Sequence, residues 1–85
     1  MKNQRIINVI ANDKALSLET ERVLIHRLEK NGFTVPAIFD NNAELIIIIG
    51  GDGSFLRTLN KYSFPDIPVI GINTGHLGFS QLNFE

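Results

Sequence analysis

Leu45-Ile46-Ile47-Ile48-Ile49 runs straight into Gly50-Gly51-Asp52-Gly53-Ser54, and this junction limits the fold more than any other stretch of the chain. Five aliphatic residues without alternation offer no polar face to water, so the strand they form must be covered on both sides. Central strands of parallel sheets have this character, and a parallel sheet requires crossover connections, usually helices. The glycines that follow predict a strand-to-helix turn. In open α/β sheets, ligands bind beyond the carboxyl ends of the strands, where this turn falls.

The remaining segments supply partners for that strand. Ile6, Ile7, Val9 and Ile10, interrupted only by Asn8, predict a mostly buried strand, with Asn12 and Asp13 in the turn after it. From about Leu16 to Lys30, the residues Leu18, Leu24, Ile25 and Leu28 recur at helical spacing, and most charges occupy the other face. Ser17 or Asp13 is expected to cap the start of that helix, and Asn31-Gly32 to stop it. Phe33 to Phe39 predicts a weaker strand, because Pro36 removes a backbone donor. A short helix is expected from about Ser54 to Tyr62, with Phe55, Leu56, Leu59 and Tyr62 along one side. Phe64-Pro65-Asp66 ends it, and Val69 to Ile72 predicts a fourth strand. The order of strand, helix, strand, strand, helix, strand implies an α/β fold: a layered, largely parallel sheet flanked by helices, with right-handed crossovers. A doubly wound domain normally continues past this point, so residues 1–85 are expected to be part of a domain.

Composition narrows the function. The chain has no cysteine, which excludes a disulfide scaffold, a thiolate zinc site and a thiol nucleophile. Eight basic residues against nine acidic ones give a net charge of −1, so neither nucleic acid nor an anionic membrane is an expected partner. The longest apolar run is five residues, whereas a spanning helix needs about twenty. The polar start from Met1 to Arg5 lacks a signal-peptide core, and a cytoplasmic location is expected.

Two segments carry chemistry. In Gly50-Gly51-Asp52-Gly53-Ser54, glycines permit positive φ and let backbone amides approach a ligand without a Cβ in the way. Amides at a helix N-terminus suit phosphate oxygens. Asp52 would repel a bare phosphate, so it implies metal coordination, a sugar hydroxyl partner or proton abstraction, unless it only caps the helix. The segment is neither a P-loop nor the spaced dinucleotide fingerprint. The second segment is Asn73-Thr74-Gly75-His76-Leu77-Gly78-Phe79, again at the end of a strand. Here Gly75 and Gly78 keep the backbone clear, and Phe79 offers a flat face to a base or ribose, or else to the core. Asn73 either holds its loop or meets a ligand. Arg57 and Lys61 share a helix face, and Arg57 is near enough to the first turn to touch a phosphate. Asn12 and Asp13 are placed to rim the same crevice. His26 reads as a solvated imidazole, and His76 has no second ligand or nucleophile near it. No metal-ligand spacing occurs.

Together, Gly50-Gly51-Asp52-Gly53-Ser54-Phe55-Leu56-Arg57 and Gly71-Ile72-Asn73-Thr74-Gly75-His76-Leu77-Gly78-Phe79 resemble the NAD kinases over essentially the whole chain. The wider superfamily of phosphofructokinases and of diacylglycerol and sphingosine kinases shares the glycine-glycine-aspartate-glycine turn, but typically continues with proline-glycine-threonine in place of Asn73-Thr74-Gly75-His76. A lipid or sugar kinase of that superfamily, or a non-catalytic nucleotide-binding module, is the alternative.

The resemblance implies phosphorylation of the adenosine ribose 2′-hydroxyl of NAD, giving NADP, with ATP or polyphosphate as donor and a divalent metal (Mg) accompanying it. It implies Asp52 as the catalytic base or a support for metal and phosphate. It further implies Gly50, Gly51, Asp52, Gly53, Asn73, Gly75 and Phe79 as NAD/ATP-binding positions, and a homo-oligomer in the full-length form. Family members carry a further β-rich C-terminal domain that completes the NAD site. That domain is not in this chain, which is expected to lack kinase activity alone.

Overall fold

The computed structural model describes residues 4–62 and 66–74, with the backbone alone at Asp52. The elements follow in the order β1 (Arg5–Ala11), α1 (Ala15–Lys30), β2 (Phe33–Thr34), β3 (Leu45–Gly50), α2 (Asp52–Lys61) and β4 (Val69–Asn73). The four strands form one sheet in the order β2-β1-β3-β4, and every pair is parallel. The α/β class and the parallel sheet inferred from the aliphatic run are therefore correct.

Strand β3 is central, and Ile46 to Gly50 are all buried. The crossover from β1 through α1 leads to one edge of the sheet and that from β3 through α2 to the other, so right-handed connections put the helices on opposite faces. Side chains alternate accordingly. Ile7, Ile47 and Ile49 pack with Leu24 and Leu28 of α1, while Ile48 lines a cavity with Phe55 of α2. Each fully buried isoleucine contributes about 1.5–3 kcal/mol relative to an exposed one.

Helix α1 begins differently from expectation. Neither Ser17 nor Asp13 caps it: Lys14 is the N-cap, without a side-chain cap bond, and the Lys14 amide donates to Asn12 Oδ1 at 3.1 Å. The inward stripe is Ser17, Thr20, Leu24 and Leu28, so Leu18, one position off that stripe, is 47% exposed. The end of α1 is as predicted. Gly32 adopts a φ of 93° and donates its amide to Glu29 O at 3.1 Å, a termination that favours glycine.

The expected strand from Phe33 to Phe39 is only Phe33–Thr34. Beyond Thr34 the chain leaves the ladder, consistent with the missing donor at Pro36, and is captured by side chains instead. Buried Asn8 donates from Nδ2 to Asp40 O and accepts the Asp40 amide on Oδ1, each at 3.0 Å. Phe39 stacks on Tyr62 with ring centroids 4.1 Å apart. Helix α2 starts at Asp52, earlier than Ser54, and Leu56 turns outward, 60% exposed. Among the described residues, no helix is long and apolar enough to cross a membrane.

At the opposite edge of the sheet, Arg5 donates two bonds to the Glu44 carboxylate, at 3.1 and 2.7 Å, and covers the Phe33 ring at 4.7 Å. These hydrogen bonds, with the guanidinium charge, hold the Glu44 carboxyl below the usual carboxylate range, against a smaller opposing effect of burial. A depressed folded-state pKa contributes stability above the unfolded value, and that contribution disappears as pH falls through the folded value. An NMR titration is expected to find Glu44 below the ordinary value of about 4.3. Arg5→Ala should return it to that value and remove the contribution.

Candidate functional site

The strand order reverses direction between β1 and β3, since β1 leads outward to β2 and β3 leads outward to β4. Such a switch point leaves a crevice beyond the carboxyl ends of the strands. Backbone bonds tie the strand ends together there. The Asn12 amide donates to Ile49 O at 3.1 Å, and the Thr74 amide donates to Gly50 O at 2.9 Å. Gly50 and Asn73 are register partners, so the two chemistry-bearing segments leave the sheet side by side at one edge.

Gly50 is required for a steric reason. A Cβ there would lie 2.8 Å from both Ser54 Cβ and Ser54 Oγ, and 3.0 Å from Asn12 Nδ2. The helix therefore starts in contact with the last residue of β3, which only glycine permits. Gly51, the N-cap, has φ −87° and ψ −178°, an extended conformation open to any residue. Among the described glycines Gly32 alone has positive φ, so close approach, and not positive φ, explains Gly50. Gly53 is exposed, and a Cβ there would meet only the flexible end of Arg57, at 3.1 Å. A Cβ on Gly71 would lie 3.0 and 3.1 Å from ring atoms of Phe55, so this glycine lets α2 lie close to β4.

The Ser54 amide donates to Gly51 O at 3.0 Å and the Phe55 amide at 3.3 Å. By helix geometry, the amides of Asp52 and Gly53 before them have no acceptor within the helix and carry its positive end. Two hollows flank this first turn. One, of about 330 Å³, is lined by Ile48, Phe55, Ile72, Asn73 and the glycine backbone at positions 50, 51 and 71. The other, of about 430 Å³, is lined by Ala11, Asn12, Ser54, Arg57, Thr58, Asn60 and Lys61.

Nearly buried Ser54 links this second hollow to β1. Its Oγ accepts from Asn12 Nδ2 at 3.2 Å and from Arg57 Nη2 at 3.5 Å. Among the described residues, Arg57 and Lys61 form no ion pair, the two pairs there being Arg5–Glu44 and Arg22–Glu19. Arg57 thus lies beside the first turn as expected, and Asn12 rims the crevice. His26 is exposed on α1. Asp52 opens α2, with its side chain outside the described atoms, and Gly75, His76, Gly78 and Phe79 lie outside the described residues. No group of three or more His, Cys, Asp or Glu side chains that could hold a metal occurs among the described residues.

One contact escaped sequence reasoning. Ser17, in the first turns of α1, is fully buried, and its Oγ shares a hydrogen bond with Thr74 Oγ1 at 2.7 Å. The only signal for it was a hydroxyl on the inward stripe of an amphipathic helix, and that residue read more naturally as a cap.

The sequence profile of the ATP-NAD kinase N-terminal domain matches residues 11–82. The chain belongs to the NAD kinase family. It is 52% identical over 79 residues to the NAD kinase of Finegoldia magna, covering 93% of this chain and 29% of that protein. It is 39% identical over 75 residues to the NAD kinase of Latilactobacillus sakei, covering 86% and 27%. Its backbone matches the crystal structure of an NAD kinase from Archaeoglobus fulgidus in complex with ATP, with a TM-score of 0.61, 28% identity, and coverage of 82% of this chain and 28% of that one. The chain thus spans under a third of the length of these relatives, and both glycine-bearing segments fall within the profile match.

Substituting Gly50 by alanine tests the steric argument. Overpacking of this kind costs about 1–3 kcal/mol, so Gly50→Ala is expected to lower stability by that amount in chemical denaturation. Gly53→Ala, which meets only a movable arginine end, should cost less. Equal losses at the two positions would contradict the assignment.

Proposed function

We propose that the protein containing this chain phosphorylates the adenosine ribose 2′-hydroxyl of NAD, giving NADP, with ATP or polyphosphate as phosphoryl donor. The observation that carries this reading is the register pairing of Gly50 with Asn73. It brings the glycine-aspartate turn and the asparagine-glycine segment to one sheet edge, in a chain whose family is that of NAD kinases.

In this reading the chain contributes positioning, charge and a base. The backbone at Gly50, Gly51 and Gly53 forms the floor of the site, and the amides of the first turn of α2 face donor or dinucleotide phosphates. Asn73, Gly75 and Phe79 contact the nucleotide, and Arg57 meets a phosphate from the polar side. Asp52 takes the proton of the 2′-hydroxyl as its oxygen bonds to the terminal phosphorus of ATP and the bond from that phosphorus to the bridging oxygen breaks, releasing ADP. A hydroxyl is a poor nucleophile, so orientation and proton removal are what such a site must supply. No cluster of acidic side chains that could hold a metal occurs among the described residues, and in this reading magnesium accompanies the donor as its counter-ion. A homo-oligomeric assembly and a cytoplasmic location are part of the same proposal.

The full-length protein, given ATP and magnesium with NAD, diacylglycerol, a sphingoid base or fructose 6-phosphate in turn, is expected to phosphorylate NAD alone. Asp52→Asn should lower kcat by about 10²–10⁴-fold, the usual contribution of general-base catalysis, with circular dichroism and melting temperature unchanged. Normal turnover in that variant places the base elsewhere. The 85-residue chain by itself is expected to produce no NADP, because it spans only 29% of the length of its Finegoldia magna relative.

A further inference from the structure

The contact between Ser17 and Thr74 joins parts of the molecule that are 57 residues apart in sequence. Ser17 has no solvent exposure, and a buried hydroxyl needs a partner. It finds one at the residue immediately after β4, not in its own helix. Thr20, one turn further along α1, behaves in the ordinary way and donates its hydroxyl back to Leu16 O at 2.7 Å. Thr74 is also held by its backbone, through the 2.9 Å bond from its amide to Gly50 O. The root of the second segment is therefore fixed from two sides, by β3 through the main chain and by α1 through a side chain. Asn73, its neighbour, lines the hollow beside the glycine turn.

We propose that Ser17 is a positioning residue for the nucleotide site: through the Thr74 hydroxyl it sets where the chain leaves β4, and so how Asn73 is presented beside Gly50 and Gly51. This rests on the kinase reading for the identity of the nucleotide. Ser17 touches no substrate. It acts by converting the fixed position of α1 on the sheet into a fixed exit direction at the end of β4. A hydroxyl pair does this more stringently than apolar packing, because its distance and angle are both constrained.

The test uses the full-length protein with Ser17→Ala, Thr74→Val, the double variant, and Thr20→Ala as a control that removes another buried hydroxyl of the same helix. Ser17→Ala and Thr74→Val are each expected to raise KM for NAD by about five- to 150-fold, the range that stranding a buried hydroxyl spans, with kcat within about twofold of wild type. The double variant should be no worse than the more impaired single, since both remove one interaction. Thr20→Ala should leave KM for NAD unchanged. An unaltered KM in Ser17→Ala, multiplying effects in the double variant, or an equal KM shift in Thr20→Ala each overturns the proposal.

Hydrogen exchange at the Thr74 amide separates this failure from failure of the kinase reading, because it needs no substrate. Ser17→Ala is expected to speed that exchange whether or not the wild type forms NADP. Unchanged exchange overturns the tether itself.

Discussion

A helix can begin in contact with the last residue of a buried strand only if that residue has no side chain, and Gly50 meets this condition. The constraint acts at both ends of a short path. Upstream, five aliphatic residues make β3 central by burying it on both faces. Downstream, Ser54 lies where a Cβ of Gly50 would be, so α2 starts at once and its first-turn amides open at the sheet edge. The same proximity brings Ser54 within reach of Asn12 and thereby links the ends of β1 and β3 across the switch point. Without it the crevice would have the same strand order but no fixed wall.

The sequence made some of this legible because single residues dictated it. The unbroken run from Leu45 to Ile49 could only be a covered strand, and Asn31-Gly32 could hardly be anything but a helix stop. Parallel topology put the carboxyl ends of all the strands on one side, but that Gly50 and Asn73 lie side by side depends on β3 and β4 being neighbours, which the strand order alone shows. Less legible were features that depend on a partner distant in sequence. Phe33 to Phe39 read as a weak strand, yet past Thr34 Asn8 holds Asp40 with two bonds where a ladder would have continued. Leu18 and Leu56 are apolar residues at helical spacing that nevertheless face outward. Periodicity locates a stripe only to within a residue or so, and polar Ser17 and Thr20 occupied the inward positions of α1.

Three of the four buried polar side chains among the described residues follow a common logic, Thr20 bonding instead within its own helix. Asn8, Ser17 and Ser54 are all nearly or fully buried, and each is satisfied by a group from another element: a loop backbone, the end of β4, and the end of β1. An apolar side chain would pack at any of these positions without specifying a neighbour. A hydrogen-bonding one accepts a single arrangement, because leaving it unpaired costs about 1–3 kcal/mol. The isoleucine core thus determines that the layers stack, and the polar residues determine how the loops leave them. Two of the three act at the carboxyl edge of the sheet, where the loops leave β1, β3 and β4.

The hollows on either side of the first turn of α2 differ in character for a topological reason. Towards β4, the turn meets a strand bearing Gly71 and Ile72, so apart from Asn73 what lines that side is aliphatic, aromatic or bare backbone. Towards β1, it faces a strand end that has passed into the polar turn at Asn12, and the flank of α2 there carries Arg57 and Lys61. A dinucleotide and its phosphoryl donor each combine flat, weakly polar rings with a chain of negative charge. In the proposed kinase, a helix N-terminus with a mostly apolar wall on one side and two cationic side chains on the other would separate those two chemistries across a single turn. The separation arises because the sheet changes direction between β1 and β3, and so it is a property of the strand order before it is a property of any one side chain.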